Sequence, residues 1–320
     1  MAEQPDLLAT EKENVVICAG DCSVTVLPAF GGKISSIRVR DAELLQPPLA
    51  PIAPRTLTMA FDSGDASGWD ECLPSVAACS VPFNNSLAEI PDHGDLWRVP
   101  WQEQGGGYES SIYLRASCFS LPLELERRLR LAQAGSGFRI DLDYKLTNTG
   151  NSPSPWSWAA HPLFTAAEGD RIILPPTIKS LRLEGSGDNR LGNAGDIVNW
   201  PAATLAAGTT DLSVAQSPRS RIGDKLFAGP LAPNENWCVL ERPSAGVRIR
   251  VSFDSAENPY LGLWLCYGGW PDGPGPKQTC VAMEPATAPV DSLARSGPWS
   301  RTLEPGQSAR WAMHVDLEIL

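Results

Sequence analysis

Phe138-Arg139-Ile140-Asp141-Leu142-Asp143-Tyr144-Lys145-Leu146-Thr147 alternates apolar and polar residues without a break. Side chains of an extended chain point to opposite faces in turn, so this run predicts a half-buried antiparallel strand. The same pattern recurs outward from it. Leu123, Leu125, Leu129 and Leu131 alternate with Glu124, Arg128 and Arg130, and Gly135-Ser136-Gly137 supplies the turn between the two runs. Val247, Ile249, Val251 and Phe253 alternate with Arg248, Arg250 and Ser252. Near the C-terminus Trp311, Met313, Val315, Leu317 and Ile319 share one face, and His314 falls on the opposite, solvent-facing one. Leu261 to Tyr267 is a continuous apolar run, the mark of a central strand covered on both faces. Val15–Cys18, Ser23–Leu27 and Lys33–Val39 are further short strands parted by glycine turns. No segment carries a helical period over three turns. Many short strands joined by Gly/Pro turns predict an all-β fold, here a large antiparallel β-sandwich. Residues 1–12 are expected to form an N-terminal arm and residues 13–320 a single domain.

Bulk composition narrows the function. The net charge is -11, so no basic field exists to displace counterions from a nucleic acid. No apolar run approaches the ~18 residues that span a membrane. The first thirteen residues are polar and acidic, unlike a secretory signal. The expectation is a cytoplasmic monomer or homodimer whose partner is a small molecule. The eight cysteines include no CxxC pair, which favours free thiols over a structural metal site. No metal or cofactor is expected.

Candidate functional residues gather in three places. The first runs from Trp69-Asp70-Glu71-Cys72-Leu73-Pro74 to Pro91-Asp92-His93-Gly94-Asp95-Leu96-Trp97, with Asn84-Asn85 between. Its Gly, Pro and Asn content reads as loops. The second is His161-Pro162-Leu163-Phe164, which follows Trp156-Ser157-Trp158. An imidazole in such company is partly buried and needs a partner or a function; a core histidine and a catalytic one both fit. The third is Met283-Glu284-Pro285. A glutamate ending a central strand is partly desolvated, which raises its pKa toward that of a useful general base. The chain has eleven tryptophans against five tyrosines. Flat rings such as Trp69 and Trp264 suit the apolar faces of pyranoses, and core filling accounts for them equally well.

The order of these pieces resembles the aldose 1-epimerase (galactose mutarotase-like) family. Gly31-Gly32-Lys33-Ile34-Ser35-Ser36-Ile37 is similar to its early glycine-led strand, His93-Gly94 to its first histidine motif and His161-Pro162-Leu163-Phe164 to its second. Glu284-Pro285 is similar to its late glutamate, and Leu303-Glu304-Pro305-Gly306-Gln307 to the turn before its final strand. The resemblance spans nearly the whole chain and implies a large antiparallel sandwich. It also implies cofactor-independent acid–base opening of an aldose ring, with Glu284 as base and His161 as acid. His93, and more loosely Asp224, would bind substrate. One departure stands out. Galactose-type members carry an arginine well before the His-Gly pair, whereas this chain has Asp70 and Glu71 there and its nearest upstream arginine is Arg55. With Trp69 beside them, these acids are expected to contact a sugar other than galactose or a hexose phosphate. Two alternatives remain: a non-catalytic carbohydrate-binding protein on the same fold, and a glycosidase using Glu71 and Glu284 as paired carboxylates.

Overall fold

The expected strands fall into two large antiparallel sheets, and the four alternating runs all lie in one of them. The computed structural model describes residues 14–62, 64–105, 110–206 and 208–320; the expected arm at residues 1–12 lies outside them. One sheet has eight strands, and its centre is Leu123–Ala134, Gly137–Asn148, Ser308–Ile319 and Val247–Phe253. Leu129 lies opposite Leu142 and Leu142 opposite Met313, so the apolar face found by period two is one continuous surface. The other sheet has eleven strands. Across its middle run Lys33–Val39, Trp69–Cys72, Ala159–Thr165, Thr279–Ala286, Tyr260–Tyr267, Ile222–Ala228 and Ser180–Ser186, in that spatial order. No α-helix occurs among the described residues, only strands and short 3₁₀ turns. Among the described residues no helix is long and apolar enough to cross a membrane.

The two sheets meet over one apolar core. Leu125, Leu129, Leu142, Val251 and Val315 project from one sheet, and Ile34, Trp69, Phe164, Leu263 and Met283 from the other. Burying each aliphatic side chain of this kind contributes roughly 1.5–3 kcal/mol. His314 lies on the outer face as expected, bonded through Nδ1 to Asp141 at 2.7 Å. All eight cysteines are free.

The stretch read as loop behaves differently. Trp69–Cys72 is a strand, fully buried and paired with both Lys33–Val39 and Ala159–Thr165. Cys79–Phe83 and Ser86–Ile90 form a hairpin. At its tip Asn84 and Asn85 take φ of 47° and 61°, the paired positive angles of the tightest hairpin turn, which Asn tolerates. Local composition suggested loop, and pairing with two neighbouring strands overrode it.

Glu71 shows what that strand is for. Its carboxylate points into the inter-sheet core with no exposure. Oε1 accepts from Arg127 Nη1 at 3.0 Å and from Tyr144 Oη at 2.9 Å, and Oε2 from Trp158 Nε1 at 2.9 Å. Arg127 and Tyr144 belong to the eight-stranded sheet, so one carboxylate ties the two sheets together. Removing one member of a buried ion pair strands the other charge in the core, at a cost of about 3–5 kcal/mol. Glu71→Gln is therefore expected to lower unfolding stability by about that amount, measured as a fall in urea midpoint at unchanged slope.

Candidate active site

The outward face of the eleven-stranded sheet carries the cleft, and strand parity decides what enters it. In Ala159–Thr165, Ala160 and Phe164 face the core while His161 faces out. In Thr279–Ala286, Val281 and Met283 face the core, and Glu284 faces out with Ala282. In Ile222–Ala228, Leu226 and Ala228 face the core, and Lys225 and Phe227 face out. The result is a cavity of about 310 Å³, of a size suited to one small ligand. Phe61, Trp264 and Trp270 supply aromatic walls; Asp62, Asp92, His93, His161, Lys225, Gln278 and Asp291 supply polar groups.

His161 lines this cavity, and Glu284 lies behind it, outside the lining. His161 Nε2 lies 3.9 Å from Glu284 Oε1. Glu284 is fully buried beneath His161 and Lys225; Oε2 accepts from the Lys225 ammonium, and Oε1 has no hydrogen-bond partner among the described residues. Burial raises the Glu284 carboxyl above the ordinary range, and Lys225 offsets only part of that rise. Burial also holds the His161 imidazole well below its usual range, helped by positive charge from His93, Lys225 and Lys33. Burial thus favours the neutral form of both groups.

His93 stands across from His161, ring centroids 5.1 Å apart and nearly perpendicular. It stacks on Phe61 at 3.6 Å, and its Nδ1 bonds Asp92 Oδ2 at 2.8 Å. Burial would raise Asp92, but the hydrogen bond and charge of His93 prevail and hold its carboxyl below the ordinary range. The His-Gly spacing has a backbone reason. His93 takes φ of 59°, a strained angle for a non-glycine residue. A Cβ on Gly94 would collide with the Leu73 carbonyl, where Asp95 N–H bonds at 2.7 Å. The glycine lets this turn lie against the end of the Trp69–Cys72 strand, bringing His93 to the cleft.

Of the other expected contacts, Trp264 lines the cavity and donates Nε1–H to Gln278 Oε1 at 3.0 Å. Three residues have the wrong parity. Trp69 packs in the core against Phe164, Glu71 joins the sheets, and Asp224 faces inward onto Ser186 Oγ at 2.6 Å and the Arg190 guanidinium. With Glu71 and Glu284 on opposite faces of the sheet, the paired-carboxylate arrangement of a glycosidase is absent. Asp70 is on the cleft side, directly opposite His161 in register. It lies below the cavity, 1% exposed, bonded to Lys33 Nζ at 2.5 Å. Lys33 also reaches Asp65 at 3.1 Å, and Asp65 holds Arg55 at 2.6 Å. The proline-rich connection thus folds Arg55 back under the site, where it neutralises a buried acid. Among the described residues, no group of three or more His, Cys, Asp or Glu side chains could hold a metal ion.

Sequence reading missed Lys225, Phe61, Gln278 and Asp291. Lys225 did leave a signal: it is a charge set between Ile222 and Leu226-Phe227-Ala228, where an unpaired lysine would be costly.

The chain matches no protein-family model and no curated protein sequence. Solved structures do match it along its length. A galactose mutarotase-like protein from Lactobacillus casei superposes with a TM-score of 0.66 at 15% identity, covering 95% of this chain and 100% of that one. A galactose mutarotase related enzyme from Lactobacillus acidophilus gives 0.67 at 14%, covering 96% and 99%. An aldose epimerase homologue from C. elegans gives 0.65 at 12%, covering 96% and 99%. The chain therefore has the galactose mutarotase-like fold.

The charges beneath the site carry a pH signature. Burial alone would raise Asp65, but Lys33 and Arg55 prevail and hold it at about 2. An ordinary aspartate titrates near ~3.9, so this group's stabilisation is complete above that value and is lost as pH falls through about 2. The amount is about 2 kcal/mol. Asp65→Asn is expected to lower stability at neutral pH and to flatten its fall between about pH 4 and 2, read from urea unfolding across that range.

Proposed function

We propose that the protein is an aldose 1-epimerase-like isomerase that interconverts sugar anomers by acid–base ring opening. The observation that carries this reading is the Glu284–His161 pair, 3.9 Å apart, with Oε1 unpartnered beside an aromatic-walled cavity. Lys225 occupies Oε2, so Oε1 is the oxygen free to take the proton from an anomeric hydroxyl. The imidazole on the adjacent strand is the proton source for the ring oxygen. Opposite charges at that separation attract by about 4 kcal/mol at an effective dielectric of ~20. This attraction opposes the burial terms that favour the neutral pair, so the ionised pair is reachable when the substrate bridges it. The C5–O5 hydroxyl and the C1 aldehyde then form, C1 turns, and reclosure on the other face returns both protons. Trp264 and Trp270 offer apolar faces to the pyranose, while His93 and Gln278 offer polar contacts to its hydroxyls.

The competing reading is a sugar-binding protein without catalysis. It draws on the complete burial of Glu284 beneath Lys225. Polarimetry of freshly dissolved α-anomers across a panel of aldoses separates the two. The wild type should speed anomer exchange for at least one sugar, with losses of ~10²–10⁴-fold for Glu284→Gln and for His161→Asn. Calorimetric binding with no acceleration of any sugar would instead select the binding protein.

A further inference from the structure

We propose that Lys225 is a positioning residue for Glu284: held between Glu284 and Asp291, its ammonium takes one carboxylate oxygen, leaves the other toward His161, and supplies the charge a buried base requires. The proposal rests on the reading of Glu284 as the base. Three separate segments build this unit. Lys225 comes from Ile222–Ala228, Glu284 from Thr279–Ala286, and Asp291 from the turn beyond it. The Lys225 ammonium bonds Glu284 Oε2 and lies 3.5 Å from Asp291 Oδ1. Its nitrogen also sits 5.3 Å from the Phe227 ring centroid, on the same face of its strand.

The surroundings leave this pairing few alternatives. Gly262 lies opposite Glu284 in register, and a Cβ there would stand 3.2 Å from Glu284 Oε2 and 3.1 Å from the Phe227 ring. Glycine thus leaves the space in which the glutamate turns toward the lysine. Asp291 is anchored through its backbone: its carbonyl accepts from Val76 N–H at 2.9 Å and Ala77 N–H at 2.8 Å, and its N–H donates to Glu184 Oε1 at 3.1 Å. These bonds fix the Asp291 backbone beside Lys225.

The titratable groups around Glu284 act in opposite senses. His161 faces it from Ala159–Thr165, Cys72 from Trp69–Cys72, Lys225 from Ile222–Ala228, and His93 from the Gly94 turn, with Asp291 beyond and Cys280 on its own strand. Burial raises the Glu284 carboxyl most; Lys225 and His93 lower it, and Asp291 raises it. The base works as the carboxylate, so activity is present above its pKa and lost as pH falls through it. Removing Lys225 must move that loss to higher pH, and neutralising Asp291 must move it to lower pH.

The test uses the full chain as wild type, Lys225→Met, Lys225→Arg and Asp291→Asn. The Glu284 carboxyl is followed by carbon-13 NMR titration, assigned with Glu284→Gln, beside pH–rate profiles for any aldose the wild type turns over. Lys225→Met should raise the Glu284 midpoint and the acidic limb, Asp291→Asn should lower both, and Lys225→Arg should stay near wild type. Below the limb, rate should fall about tenfold per pH unit. Midpoints that stay put, or that move the same way in Lys225→Met and Asp291→Asn, overturn the proposal. Should Lys225→Met fail to fold, the Asp291→Asn midpoint decides alone. If no aldose is turned over while the midpoints shift as stated, the positioning role stands and the assignment of Glu284 as an epimerase base falls.

Discussion

A single buried carboxylate sets the geometry on which the rest depends. Glu71 is inserted between the sheets and held by Arg127, Tyr144 and Trp158. An unpaired charge there would be far more costly than any surface one, so the Trp69–Cys72 strand cannot shift by one residue without exposing that penalty. Because side chains alternate along a strand, holding Glu71 and Trp69 inward obliges Asp70 and Cys72 to face the cleft. His161 lies opposite Asp70 in register and shares that face. The ion pair in the core and the imidazole in the cleft are thus two consequences of one register.

The cleft concentrates buried charge beyond what packing requires. Lys33, Asp65, Asp70 and Arg55 form a chain of opposite charges below it, and Lys225, Glu284 and Asp291 form a second at its side. Such pairs are weak sources of stability, since desolvation offsets much of their attraction. Their effect is on the groups they surround. Burial, reinforced by nearby cations, holds the His161 imidazole low, and burial holds Glu284 high. A surface pair could not be shifted this way, because water would screen the charges and remove the burial penalty.

Each candidate side chain sits where the backbone leaves it little freedom. His93 is carried on a strained turn that only a following glycine allows, His161 lies mid-strand between two neighbours, and Glu284 faces a glycine that leaves it room. Sites on paired strands hold their geometry better than sites on free loops. The Phe61 stack on His93 shows a long connection contributing directly.

Period two in Phe138–Thr147 and its relatives sufficed to determine the class of fold, because alternation is local and each strand declares its own buried face. His93, His161 and Glu284 were legible as candidates for a similar reason: each is a polar residue in an unusual setting, before a glycine, among aromatics or after an apolar run. Trp69, Glu71 and Asp224 were misread because a strand's residues declare two faces without saying which one meets the core. Asp224 and Lys225 are adjacent, yet one pairs with Arg190 inside and the other meets Glu284 in the cleft. Only tertiary pairing could decide between them, since it alone determines which face of each strand the second sheet covers. Arg55, Phe61, Gln278 and Asp291 reach the site from segments with no periodicity, so their positions follow from how distant strands pack and not from any pattern in the chain.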